Sequence, residues 1–186
     1  MLGIEHVVFR PEIREEAPGD DPRRMVCYLS RLKAEAALGH VEGGLVLAAD
    51  TIVVQGGLII GKPASGEEAR EALRRLSGRW HEVHTGVVLM QEETGRTLEG
   101  VETTRVKFRE LFDGEIDRYI GSGEPLDKAG AYGIQGMGSA LVERIDGCYY
   151  NVVGMPLNML LGMFREFGYS YGFPGLYRSS GKAGHL

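Results

Sequence analysis

The chain has 186 residues, 43% of them hydrophobic and 25% charged, with a formal net charge of −5 at pH 7. That length and balance suit one globular domain with its own core, and the acidic excess excludes a broad nucleic-acid footprint. No apolar run approaches the roughly 20 residues that a bilayer span needs, and the start "MLGIEHVVFRPEIREE" lacks a charged-then-apolar signal pattern. Two cysteines, Cys27 and Cys148, form no metal spacing and read as a reduced, cytoplasmic protein.

In chain order, "IEHVVF" (4–9) reads as a strand and "RPEIREEAPGDDP" (10–22) as an acidic, proline-marked loop. Asp21 and Pro22 then predict an N-cap and first turn for a helix over 23–39, whose Met25, Leu29, Leu32 and Ala36 recur at helical spacing before Gly39. Residues 44–63 read as two strands with a turn at Gly56-Gly57. Residues 65–78 are a capped helix with Glu67 and Glu68 in its first turn. A long hairpin follows over 80–111, turning at 93–95, then a short helix at 113–123, a second hairpin over 139–154 and a closing helix over 156–168. Residues 169–186 have no period and read as a surface tail, leaving 1–168 as the single domain. Parallel-type and hairpin connections together predict an α/β or α+β chain with a mixed sheet.

Several short stretches carry candidate chemistry. Asp50, in "ADT", follows an apolar strand, where an acid costs desolvation unless it is paired or holds a cation. It is either a loop carboxylate capping the next turn or a base or metal ligand at a strand end. Lys62 in "GKP" is either a solvated turn lysine or a phosphate contact, and Lys33 on the first helix reads by default as a surface residue. The histidines of "HEVHTG" fall on opposite faces of a strand, which argues against zinc. Arg23 and Arg24 read as solvated residues of a first helical turn. The stretch "DKAGAYGIQG" (127–136) has three glycines and Gln135. It is either a glycine-rich turn or a place where a flat base lies on the backbone while the amide reads an imide edge.

Together "LAADTIV", "GKP", "LRRLSGRWHEVHTGV", "TTRVKF" and "YIGSGEPLDKAGAYGIQGMGSALVERIDGCYYNVVGMPL" occur in one order. In this the chain resembles the Maf family of nucleoside triphosphate pyrophosphatases over about residues 2–168, and specifically the branch acting on dTTP and UTP. The resemblance implies an α/β fold with an elongated mixed sheet flanked by helices, two lobes with a central cleft, and a homodimer; charge and hydropathy, as above, predict no nucleic-acid or membrane partner. It implies hydrolysis of dTTP or UTP to the monophosphate and pyrophosphate, with a divalent ion, Mg²⁺ by preference and Mn²⁺ as the alternative. It also implies roles: Asp50 as catalytic carboxylate and metal ligand, Glu15 as a second metal carboxylate, Lys33 and Lys62 as phosphate contacts, and Thr51 and Gln135 as specificity positions. A catalytically weakened nucleotide- or protein-binding regulator, of cell division for example, is the competing expectation.

Members of this family begin with a strand and loop resembling "LASxSPRRxxLL". The chain starts at "MLGIEHVVF", so that segment is expected to be missing. Two charge-assisted hydrogen bonds lost from the phosphates would cost about 3–6 kcal/mol, or on the order of 10²–10⁴ in kcat/KM.

Overall fold

The computed structural model describes residues 2–13, 19–41 and 43–179. Helix α1 (Pro22–Leu38) starts as its sequence predicts: the Asp21 carboxylate accepts from the backbone N–H of Arg23 at 2.9 Å and of Arg24 at 3.5 Å. Those bonds satisfy donors that the first turn leaves open. Strand β1 (Leu45–Gln55) turns at Gly56-Gly57 into β2 (Leu58–Ile60), and α2 (Gly66–Leu76) is capped by Ser65, whose hydroxyl accepts from Glu68 N–H. Strands β3 (Trp80–Gln91) and β4 (Thr97–Phe108) form the predicted long hairpin. Then come α3 (Asp113–Gly121), β5 (Val142–Asp146), the short α4 (Tyr149–Val152) and α5 (Leu157–Glu166).

The sheet has the order β2-β1-β3-β4-β5, and every neighbouring pair in it is antiparallel. The α/β class holds, but no parallel neighbours occur among the described strands, against the expected mixed sheet. The physical reason lies in α2. It returns the chain so that β2 and β3 run the same way, yet β1 sits between them. The connection is a crossover, as the sequence suggests, and its two strands never pair.

Side chains alternate along β1, so the strand serves both faces of the sheet. Val46, Ile52 and Val54 face α1 with Val26, Ala34 and Val88. The opposite face carries two apolar clusters. One joins Val53, Val83 and Phe108 to α2 and α3 through Leu73 and Ile116; the other joins Val87, Leu89 and Ala49 to α5 through Leu160 and Phe164. Thr51 and Thr85, paired across the ladder, lie between them. These two clusters are the two expected lobes, built on one sheet.

Three expected elements differ. Residues 4–9 form no strand, and Val7 is 96% exposed because no described strand pairs with this segment. The expected hairpin over 139–154 is half right: β5 adds to β4, but the chain then coils into α4 instead of returning as a strand. The aperiodic end contains a small hairpin, β6 (Tyr169–Tyr171) with β7 (Leu176–Arg178), packed beside α5 with Ile4. No helix among the described residues is long and apolar enough to cross a membrane.

Candidate active site

Strand β2 pairs only with Val53–Gln55 of β1, so the outer edge of β1 before that point is open among the described strands. Side chains from both faces of β1 therefore reach one cleft. It holds about 280 Å³ and is lined by Lys33, Asp50, Thr51, Lys62, Tyr132 and Gly154, among others. A more open groove of about 750 Å³ between β2 and α2 shares only Lys62 with these residues. The smaller cleft is the candidate site, because it joins the half-buried Lys33–Asp50 pair to Thr51 and Lys62, whereas the charges of the larger groove line an open surface.

Helix α1 delivers Lys33. The helix lies so close to the sheet that a Cβ on Gly86 would stand 2.5 Å from the backbone carbonyl carbon of Val26. The buried Ser30 hydroxyl bonds the Gly86 carbonyl oxygen at 2.9 Å and that of Val26 at 2.6 Å, which fixes the height of the helix. Gly86 pairs with Asp50 across the ladder. Lys33, three residues beyond Ser30, then meets Asp50 with Nζ–Oδ1 at 2.5 Å. The lysine that reads as a surface residue is thus half-buried against the candidate catalytic carboxylate.

Lys62 is exposed on the rim, between β2 and α2. Its turn is held from below: Gly130 N–H donates to Gly61 O at 3.1 Å. Gly130 has φ +72°, and a Cβ there would stand 2.9 Å from a Val53 methyl, so both conformation and space call for glycine. Asp127 and Lys128 pair at 2.6 Å on the same cleft, and the Lys128 ammonium holds the Asp127 carboxyl below its ordinary range.

The structure does not bring Gln135 to this cleft. Its loop wraps around the Glu124 carboxylate, which accepts from Met137 N–H, Gly138 N–H and the Tyr119 hydroxyl, each at 2.9 Å. Burial pushes that carboxyl up, but these three bonds outweigh it and hold it below the ordinary value. A Cβ on Gly136 would collide with Glu124, so this glycine admits the chain's own carboxylate. The wrap turns Gln135 out to solvent.

Tyr132 forms part of the cleft wall, and its buried hydroxyl meets Nε2 of His81 at 2.8 Å. Burial lowers the His81 pKa to about 4 and raises that of Tyr132, so both are neutral at pH 7. His84 sits on the other face beside Thr103, as strand alternation predicts. No group of three His, Cys, Asp or Glu side chains able to hold a metal occurs among the described residues, and Glu15 lies outside them. The donor set still suits an ion of the Mg²⁺ type, which takes one or two carboxylates and completes its shell with water and substrate phosphate.

Sequence reasoning gave no role to Thr85 or Asn151, which back the cleft behind Thr51. Their signal was faint: "HTG" and "YYN" carry polar residues inside strongly apolar or β-forming runs.

A family model described as Maf-like protein matches residues 1–167. The chain belongs to the Maf family. This Maf chain is 48% identical over 162 residues to a Carboxydothermus hydrogenoformans protein named dTTP/UTP pyrophosphatase, covering 87% of each. A protein of the same name from Syntrophomonas wolfei is 48% identical over 168 residues, covering 90% of this chain and 89% of its own. Another, from Anaeromyxobacter dehalogenans, is 49% identical over 173 residues, covering 91% and 87%. The matched Maf span takes in every cleft residue from Lys33 to Gly154.

Proposed function

We propose that this chain is a nucleoside triphosphate pyrophosphatase that hydrolyses dTTP and UTP to the monophosphate and pyrophosphate. The observation that carries the reading is the convergence of Asp50, Lys33, Lys62 and Thr51 on one cleft, in a chain so similar to proteins named for that activity. Asp50 accepts a proton from the attacking water as the water oxygen bonds the α-phosphorus. The α–β phosphoanhydride bond breaks on the opposite side and pyrophosphate leaves with the electron pair. Lys33 holds the Asp50 carboxylate in place, and Lys62 on the rim neutralises charge gathering on the leaving group. A divalent ion, Mg²⁺ or alternatively Mn²⁺, would be held by Asp50 with substrate phosphate oxygens, where it supplies further charge neutralisation.

The reading extends to a homodimer in the cytoplasm with no nucleic-acid partner, in keeping with the net charge of −5; light scattering reads the assembly. Pyrophosphate release across a panel of nucleoside triphosphates with Mg²⁺ tests the activity. Turnover of dTTP and UTP, lost by at least about 10³-fold in Asp50→Asn, is the expected result. Saturable nucleotide binding without release would favour the regulator, and full turnover by Asp50→Asn would remove Asp50 from the chemistry.

A further inference from the structure

Thr51 lies at the midpoint of the cleft between the two apolar clusters, and its hydroxyl can point either its proton or its lone pairs at a ligand. The buried groups behind it settle which. Thr85 Oγ1 lies 3.0 Å from the carbonyl oxygen of Asn151, which carries no proton, so the Thr85 proton occupies that contact. Thr51 Oγ1 is 2.8 Å from Thr85 Oγ1, and only Thr51 has a proton left to fill the gap. Thr51 therefore donates inward to Thr85 and turns only lone pairs to the cleft. Gly154 leaves that side uncovered, since a Cβ there would stand 3.4 Å from Thr51 Oγ1.

The arrangement is firmly held. Thr85 and Asn151 are both fully buried. The Asn151 amide donates to Val83 O at 2.9 Å and to Thr104 Oγ1 at 3.0 Å, tying α4 to β3 and β4. This clamp places the Asn151 carbonyl over Thr85, and Gly154 N–H, at 2.9 Å, closes the same turn.

We infer that Thr85 and Asn151 are specificity-positioning residues: they hold Thr51 as an obligate acceptor that selects a nucleobase with an imide N–H. Uracil and thymine present that donor at N3, whereas cytosine presents a bare lone pair there. An acceptor facing an acceptor leaves both unsatisfied as the site desolvates. The inference rests on the reading of this cleft as a pyrimidine nucleotide site. Adenine and guanine are distinguished by size as well, so the cytosine comparison isolates the hydrogen bond.

The test is calorimetric binding of the α,β-imido analogues of UTP and CTP at fixed Mg²⁺, which separates recognition from turnover. The unaltered protein should bind the UTP analogue about tenfold tighter than the CTP analogue, the worth of one such hydrogen bond. Thr85→Val frees the Thr51 hydroxyl to rotate and donate, so the preference should fall to within about threefold. Thr85→Ser restores the donor and should restore the preference. Thr85→Ala, smaller than either, serves if the valine variant does not fold. An unchanged preference in a folded Thr85→Val or Thr85→Ala, or an equal loss of affinity for both analogues, would reduce Thr85 to a structural role and overturn the inference alone. Failure of the unaltered protein to bind either analogue would overturn the pyrimidine reading, and the inference with it.

Discussion

Replacing Gly86 by alanine tests whether the sheet-to-helix spacing sets the Lys33–Asp50 pair. The added Cβ would lie 2.5 Å from the Val26 carbonyl carbon and oxygen and 2.9 Å from the Cys27 nitrogen. Ordinary carbon contacts sit at about 3.5–4.0 Å, so α1 must lift by about 1 Å. All three neighbours are backbone atoms, so no side chain can swing away. Overpacking of this kind costs about 1–3 kcal/mol. For a chain of this size that is a fall in Tm of about 2–12 °C. The lift also stretches the Ser30 bond to Gly86 O and moves Lys33 off Asp50. Misplacement by about 1 Å is enough for up to about 10²-fold in rate. Differential scanning calorimetry and pyrophosphate release read the two effects. Gly162→Ala is the control: it lies inside α5 with nothing within 4 Å of the new methyl, so it should stabilise by up to about 1 kcal/mol. A Gly86→Ala protein with unaltered Tm and turnover would refute the claim that this contact positions Lys33.

Lys62→Met should lower kcat/KM for dTTP by about 10–10²-fold, the worth of one charged contact, with Tm unchanged because Lys62 is exposed. Stability should fall with acid through His81: its pKa is about 4 when folded against 6.5 unfolded, so the unfolded chain binds more protons between those values. That term is fully present above pH 6.5 and shrinks toward pH 4, by about 3 kcal/mol in all. Urea unfolding at stepped pH should show the slope, and the paired change of His81→Phe with Tyr132→Phe should flatten it. Glu124→Gln should speed hydrogen exchange at the Met137 and Gly138 amides by at least about tenfold while leaving α1 protected.

Local chemistry was legible wherever a feature is decided within a few residues. Asp21-Pro22 and Ser65 cap their helices as their sequences say, and Gly56-Gly57 turns where a hairpin turn must. What sequence could not carry were decisions made across the fold. "YYNVV" has β-forming side chains, yet it coils because the Asn151 amide finds Val83 and Thr104 on two other strands. Val7 and Val8 have the composition of a strand but find no partner among the described strands. In the site, Asp50 stood out as an acid after an apolar run and Lys62 through its turn, although Asp50 sits mid-strand in β1, paired with Gly86, and not at a strand end or in a loop as expected; Thr51 was marked only by the family resemblance. Lys33 did not stand out, since nothing on a helix face tells how deeply the helix will sit. The glycines near Gln135 have reasons that no local pattern reveals: Gly136 makes room for Glu124, thirteen residues before Met137, and Gly130 packs on Val53.

The ladder between β1 and β3 runs unbroken from Leu45–Gln91 to Val54–Glu82, straight beneath the cleft. Proteins whose halves meet at a linker can shut on a ligand like jaws. Here Asp50, Thr51 and Val83 make a floor on the same two strands, and bending that floor would mean bending ten consecutive pairings. Any closing must come instead from the pieces that reach over it: Lys62 after β2, the turn at Asp127 and Lys128, and Gly154 after α4. The shape of the gap is set from beneath, and its freedom to adjust lies in the rim.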